Sequence, residues 1–416
     1  MARAAVDPVQ ALLASAAKKY DLTVGSMNNV VEGIQFMTTG NIAIDYAMGG
    51  GVPYGRSVEL FGPPSCGKTT TAIQTAVNLQ KVIIAGGDKK LGVSAKDVIL
   101  YLDYEHAMDK DYAKALGLDV NHPSFLFAQP DTLEDGANFT LDLLKTGRCR
   151  LVIFDAVAGM NPSVKQEADI GKSLPAVQAK LMKEFGVTLN GVLANNNASA
   201  IFLNHLIDKF DMGGSPRPGM PKPTTTPGGI AMKYFASVRV QYNQMQSQKG
   251  TVIDPLSNEL VERNVSTNVM VKVIKNKVAP PFRQAVVRVR YGKGFDNFWT
   301  ALQVLIANKK IIYASPYFKF HNLVEFDLIP SWMPHLKEGT KPPAVNGEKR
   351  LFKAADADPV WREKIIELAK KVVFENIEIL SKVAPQGEPV DEEDEDEEDD
   401  DIEQVGAKTA GGRVKI

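Results

Sequence analysis

The sequence predicts an α/β protein, with a mostly parallel twisted sheet covered by helices, an N-terminal helix ahead of it and a small α/β domain behind it. Three observations carry this expectation. From Arg56 the chain runs RSVELF, GPPSCGKTT and TAIQTAVNLQ: a short apolar strand, a glycine-rich turn and a helix. Three later apolar runs, VILYLD (98–103), LVIFD (151–155) and AIFLN (200–204), each end in a polar residue, as strands buried on both faces do. Helical segments separate these runs, which is the βαβ alternation of a parallel sheet. In such sheets ligands bind at the carboxyl ends of the strands, where Asp103, Asp155 and Asn204 stand.

With 416 residues, 44% of them apolar and 23% charged, the chain suffices for one large core and smaller appendages. No apolar run reaches the length of a membrane span, and MARAAVDPVQALLASAAKKY is too polar for a signal peptide. Cys66 and Cys149 have no metal-ligand spacing, so a reducing, cytoplasmic setting without disulfides is expected. The net charge of −1 conceals a segregation. Asp391 to Asp401 is an unbroken acidic run, and Glu403 extends it. Without these acids the rest holds 48 basic and 37 acidic residues, a basic body suited to a polyanionic partner. Charge alone leaves two roles open for the tail: competition for that basic surface, or solubilisation by a disordered segment.

Taken in order, the first element is a helix starting at Asp7 with Pro8 in its first turn. Its apolar face is Val9, Leu12, Leu13, Ala16, Ala17 and Tyr20, free to pack on its own domain or on another subunit. After the core strands, SVRVQY (237–242), NVMVKVIK (268–275) and AVVRVRY (285–291) alternate and read as antiparallel strands closing the sheet edge. Residues 212–229, MGGSPRPGMPKPTTTPGG, read as a long mobile loop. Beyond 300 a smaller α/β region ends in a helix opened by Asp358 and Pro359. The expected division is 1–36 (helix and linker), 37–300 (core), 301–385 (small α/β domain) and 386–416 (disordered acidic tail).

Gly62-Pro63-Pro64-Ser65-Cys66-Gly67-Lys68-Thr69 matches the phosphate-binding loop G-x-x-x-x-G-K-[ST]. Glycines let backbone N–H groups close on phosphates, Lys68 neutralises the β- and γ-phosphates, and the Thr69 hydroxyl reaches Mg²⁺. Asp155, ending its strand, suits the second acid of the Mg²⁺ shell, although alone it reads as readily as a turn residue. Glu105 is placed to deprotonate an attacking water, or else is a surface acid near a helix start. His205 is a candidate sensor of the γ-phosphate ahead of the mobile loop, or a satisfied structural histidine.

Several blocks together resemble the RecA family of DNA strand-exchange recombinases: TGNIAIDYAMGGGVPYGRSVELFGPPSCGKTT, YLDYEHAMDKDYAKALGLD, QPDT, VIFDAVAGMNP, PGGIAMKYFASVR and VIKNKVAPPF, over roughly residues 37–295. The resemblance implies a RecA-type P-loop NTPase core that uses ATP and Mg²⁺, with Lys68, Thr69, Glu105 and Asp155 in the roles above. Thr70, Asp109, Tyr112 and Tyr291 would complete the nucleotide contacts, Tyr112 stacking on adenine. Lys275 and Lys277 would reach ATP held by a neighbouring protomer, and Tyr234 would lie in the protomer interface. DNA would be held by two loops, around 167–180 and 209–229, through Lys180, Lys209, Arg217, Lys222, Gly228 and Gly229. The implied activity is DNA-stimulated ATP hydrolysis by a helical homo-oligomer on single-stranded DNA, which pairs it with duplex DNA. Single-strand-binding and loading proteins would be further partners. Departures from the family pattern are His205, Ala156, Ile207, Pro227, Pro175 and the long 79–97 connection, as in a divergent, phage-encoded member. Two rivals remain: a ring-forming RecA-fold DNA motor, and an ATP-switched DNA-coating mediator without turnover.

Overall fold

The apolar runs become neighbouring strands because each is buried on both faces and has nowhere else to satisfy its backbone. A computed structural model describes residues 33–164, 175–208, 224–227, 229–254, 259–320, 330–331 and 344–382, and positions 12, 13, 15, 18 and 19. The helix expected from Asp7 lies largely outside the described residues, as does the acidic tail.

A nine-stranded sheet runs in the order Gly294–Phe295, Gln284–Arg290, Leu260–Asn276, Val238–Ile253, Ser57–Gly62, Ser199–His205, Cys149–Asp155, Val98–Asp103, Phe125–Ala128. From Val238–Ile253 through Phe125–Ala128 neighbouring strands are parallel, and the rest are antiparallel. The three alternating segments are antiparallel to one another, as expected, and the first of them also joins the parallel part on its other side, Val238 to Gln241 pairing with Val58 to Phe61. Alternation cannot reveal strand direction, because both orientations share the same period of two. The same strand and its partner Leu260–Asn276 also run past the sheet as a two-stranded ribbon, longer than the alternating patterns suggest.

Side chains alternate between two cores. Ile99, Tyr101, Leu151, Ile153, Ile201 and Leu203 meet Ile73, Ala76, Val77 and Ile83 of the helix Lys68–Ile84. Leu100, Leu102, Val152, Phe154 and Phe202 face the helices Leu133–Lys145, Pro175–Asn196 and Gly229–Phe235. There Phe154 and Phe202 stack with centroids 4.4 Å apart, each burial stabilising by about 1.5–3 kcal/mol. A third core joins the helices Asn297–Ala307, Glu348–Ala357 and Pro359–Lys382 to a three-stranded sheet, around Phe298, Phe320 and Trp361. The boundary expected at 300 falls inside the first of these helices. The last helix starts as its cap predicts: Trp361 N donates to Asp358 Oδ1 at 3.0 Å.

The helix Ile42–Met48 carries a buried carboxyl, Asp45, which has no ion-pair partner among the described residues. Thr39 donates to Asp45 Oδ1 from its backbone N at 2.8 Å and from its hydroxyl at 2.6 Å. Burial outweighs these bonds and pushes Asp45 from 3.8 up to about 6. The fold therefore favours the protonated acid. Its contribution to stability is complete below 3.8 and is lost as pH rises through about 6. Asp45→Asn removes this dependence, so the thermal midpoint of the unmodified protein should gain on the variant's as pH falls across that window. Parallel pH profiles would refute the assignment.

Candidate nucleotide site

The phosphate loop sits at the centre of the sheet, where the strand Ser57–Gly62 hands over to the helix Lys68–Ile84. The handover requires glycine: Gly67 caps the helix at φ +92°, a left-handed conformation that a side chain disfavours. A Cβ on Gly62 would stand 2.3 Å from the Tyr242 carbonyl oxygen, so the close pass over the adjacent strand also excludes side chains. The Lys68 ammonium donates to the carbonyls of Gly62 at 2.9 Å and Pro63 at 2.6 Å. Burial pulls its pKa down, which makes an anionic partner more valuable to it. Cys66 is fully buried, donates to the Pro63 carbonyl, and burial raises its thiol pKa, so it is a structural residue of the loop.

Register brings the acids to the same end of the sheet. Gly62 pairs with His205, and Asp103 with Asp155 on the next strands over. The turn after Asp103 carries Glu105, and Asp103 fixes that turn by accepting from Ala107 N at 3.3 Å and Met108 N at 3.2 Å. Glu105 Oε1 then lies 3.0 Å from His205 Nε2, a hydrogen bond whenever that nitrogen carries the proton. The pair spans the strand that ends in Asp155. Burial pushes Asp155 up to about 6, with Glu105 and Asp103 adding to the shift and the Tyr101 hydrogen bond opposing it. Surplus negative charge with little water is an environment that a divalent cation relieves.

One cavity of about 370 Å³ gathers these groups. It is lined by the loop from Pro64 to Thr70, by Glu105, Asp109, Tyr112, Asp155 and His205, and by Tyr291. Tyr112 is held by a 2.7 Å hydrogen bond between its hydroxyl and Thr70. Asp109 caps the helix Lys110–Ala115, accepting from Asp111 N and Tyr112 N at 2.9 Å each. The wall also contains Met108, Leu203, Val289 and Arg290, which sequence reasoning missed. Arg290 ends an alternating strand and carries no motif, so only its position beside the loop marks it.

Asn204, grouped with the acids by its strand-end position, is instead a fully buried structural residue. Its Nδ2 donates to Glu59 Oε1 at 2.9 Å and to the Pro227 carbonyl at 3.0 Å. Lys275 and Lys277 do not line the cavity. Lys275 lies level with Arg239 and Glu59, three residues before Gly62, and donates to the carbonyls of Lys233 at 2.7 Å and Tyr234 at 3.0 Å. Burial, then the neighbouring Lys277, pulls its pKa down. Tyr234 is 70% exposed. Lys180 projects from the helix Pro175–Asn196, 4.0 Å from Glu184. Gly229 begins the helix Gly229–Phe235. Lys209, Arg217, Lys222 and Gly228 lie outside the described residues.

Among the described residues no group of three or more His, Cys, Asp or Glu side chains is arranged to hold a metal ion unaided. Thr69 and Asp155 at one cavity nevertheless fit Mg²⁺, which takes one or two protein oxygens and fills its shell with water and substrate phosphates. No helix among the described residues is long and apolar enough to cross a membrane.

Comparison with known proteins places the chain in a family. The family model of the RecA N-terminal domain matches residues 12–296. The chain is 38% identical to protein RecA of Rhizobium etli over 278 residues, 66% of this chain and 68% of that one. Against protein RecA of Mycobacterium ulcerans it is 38% identical over 273 residues, 65% and 69% of the two chains. Protein RecA of Chloroherpeton thalassium is 35% identical over 298 residues, 71% and 74%.

Proposed function

The chain belongs to the RecA family, and on that premise we propose that it is a DNA recombination and repair ATPase that forms helical filaments on single-stranded DNA and promotes homologous pairing and strand exchange. The observation that carries this reading is the single cavity in which a complete phosphate loop faces Glu105, Asp155 and His205.

In this reading ATP lies along the loop, its phosphates held by backbone N–H groups and Lys68, its base against Tyr112 and Tyr291. Thr69 and Asp155 would hold Mg²⁺, which would supply positive charge to offset that of the phosphates. Glu105 orients the water that attacks the γ-phosphorus in line and accepts its proton, and ADP and phosphate leave. His205 is the link to DNA. It touches Glu105, and the chain beyond it pairs Ile207–Asp208 with Thr224–Thr225 at the root of the second DNA loop. A γ-phosphate that engages His205 would thereby bias that loop. Lys275, Lys277 and Tyr234 belong to protomer contacts, the two lysines completing the site of a neighbouring subunit.

The test is ATP hydrolysis measured with and without single-stranded DNA, followed by electron-microscope imaging of the same mixture. Stimulated turnover with helical filaments is expected. Closed rings would move the protein to the motor class, and filaments without turnover to the mediator class. Lys68→Ala should weaken ATP binding by roughly 10- to 100-fold, the contribution of hydrogen bonds to a charged group, and remove hydrolysis. Titration with a fluorescent ATP analogue measures this, and unchanged affinity would place the triphosphate elsewhere.

A further inference from the structure

Tyr101 is a fully buried residue of the strand Val98–Asp103 that does not line the nucleotide cavity. Its ring packs against Phe125, at 6.3 Å between centroids, and Phe127, at 6.1 Å, both on the neighbouring strand Phe125–Ala128. Apolar packing of this kind needs only an aromatic ring, so the hydroxyl calls for a separate reason. Its partner is Asp155 Oδ2, to which the phenol donates. The register explains the reach: Tyr101 pairs with Ile153, so Asp155 is the diagonal neighbour on the same face.

We propose that Tyr101 is a positioning residue for the divalent cation of the nucleotide site, holding one oxygen of Asp155 from behind the cavity so that the other is presented to the cation. The inference rests on the reading of Asp155 as the Mg²⁺ acid. Without the phenol, the Asp155 carboxylate has one fewer anchor and samples orientations that do not meet the cation. Partners behind a metal ligand commonly change metal affinity by about 10- to 100-fold. Asp155 reaches Mg²⁺ in company with water and phosphate ligands, so the lower end, about 10-fold, applies here.

The experiment titrates free Mg²⁺ at fixed ATP, using a fluorescent ribose-labelled ATP as the probe, on the full chain and three variants: Tyr101→Phe, Asp155→Asn and the double variant. Metal-free binding in EDTA and the thermal midpoint are recorded for each. Tyr101→Phe keeps the ring and should raise the half-saturating Mg²⁺ about 10-fold while metal-free binding stays within about two-fold. Asp155→Asn should raise it at least as far, and the double variant no further than Asp155→Asn alone. If Asp155→Asn shifts the Mg²⁺ requirement and Tyr101→Phe does not, the role of Tyr101 is overturned and Asp155 stands. If neither shifts it, Asp155 is not the metal acid and the inference falls with it. If Tyr101→Phe weakens metal-free binding and lowers the thermal midpoint without a separate Mg²⁺ effect, the hydroxyl is a packing feature and the inference is overturned.

Discussion

Glu105→Gln should lower the rate of ATP hydrolysis at saturating ATP by about 10²- to 10⁴-fold and leave ATP affinity close to that of the unmodified protein. The substitution preserves shape and keeps an oxygen that can accept from His205, so the turn set by Asp103 should survive. What disappears is the capacity to take a proton from water. Binding should be spared because the loop and Lys68, proposed to hold the phosphates, belong to the turn after the strand Ser57–Gly62 and to the helix Lys68–Ile84, not to the turn that carries Glu105. The measurement pairs steady-state turnover with and without single-stranded DNA against equilibrium binding of a fluorescent ATP analogue. A loss of less than about 10-fold in turnover would remove Glu105 from the general-base role. Equal losses in affinity and turnover would instead make it a structural residue of the cavity.

Arg239→Leu should destabilise the core by about 3–5 kcal/mol, the usual consequence of leaving a buried charge without its partner. Glu59 is 0% exposed in the centre of the sheet, one residue before Leu60 on the strand that leads to the phosphate loop. Arg239 pairs with it across the neighbouring parallel strand, donating from Nε to Oε2. Its guanidinium also stacks on Phe61, 4.8 Å from the ring centroid. Asn204 supplies the other hydrogen bond to Glu59. The double variant Glu59→Leu/Arg239→Leu should recover much of the loss, because a matched apolar pair needs no counter-charge. Trp361 is buried in the third core, so its fluorescence would not report directly on the Glu59–Arg239 pair. Far-UV circular dichroism during denaturant unfolding follows the loss of secondary structure, to which the sheet and its covering helices contribute. A change below about 1 kcal/mol for Arg239→Leu would mean that the pair contributes no net ionic stabilisation to the core.

Much of the site was legible in the linear chain because its parts are local. The phosphate loop is a run of eight residues whose spacing is itself the mechanism, and the strand before it and helix after it stand where periodicity places them. Asp155 and Glu105 were legible for a related reason: apolar runs end where strands leave the core, and the next polar residues sit at the ligand-binding edge. Asn204 obeyed the same rule and is not in the site, because its side chain turns inward to Glu59 and Pro227. Position along a strand specifies the end of the sheet but not what the side chain meets.

By itself, then, the sequence determined the α/β class, the phosphate loop with its Lys68 and Thr69, the strand-end acids and the family, since each is written in spacings of a few residues. Tertiary structure alone decided that Val238–Gln241 runs parallel to the phosphate-loop strand, that Arg290 enters the cavity wall, and that Tyr101 stands behind Asp155. It also decided that Glu59 has Arg239, 180 residues away, as its counter-ion. The physical reason is common to all four. Strand order and register are chosen by the burial of whole faces, summed over many residues, and a contact between distant side chains is a consequence of that choice rather than of any local pattern.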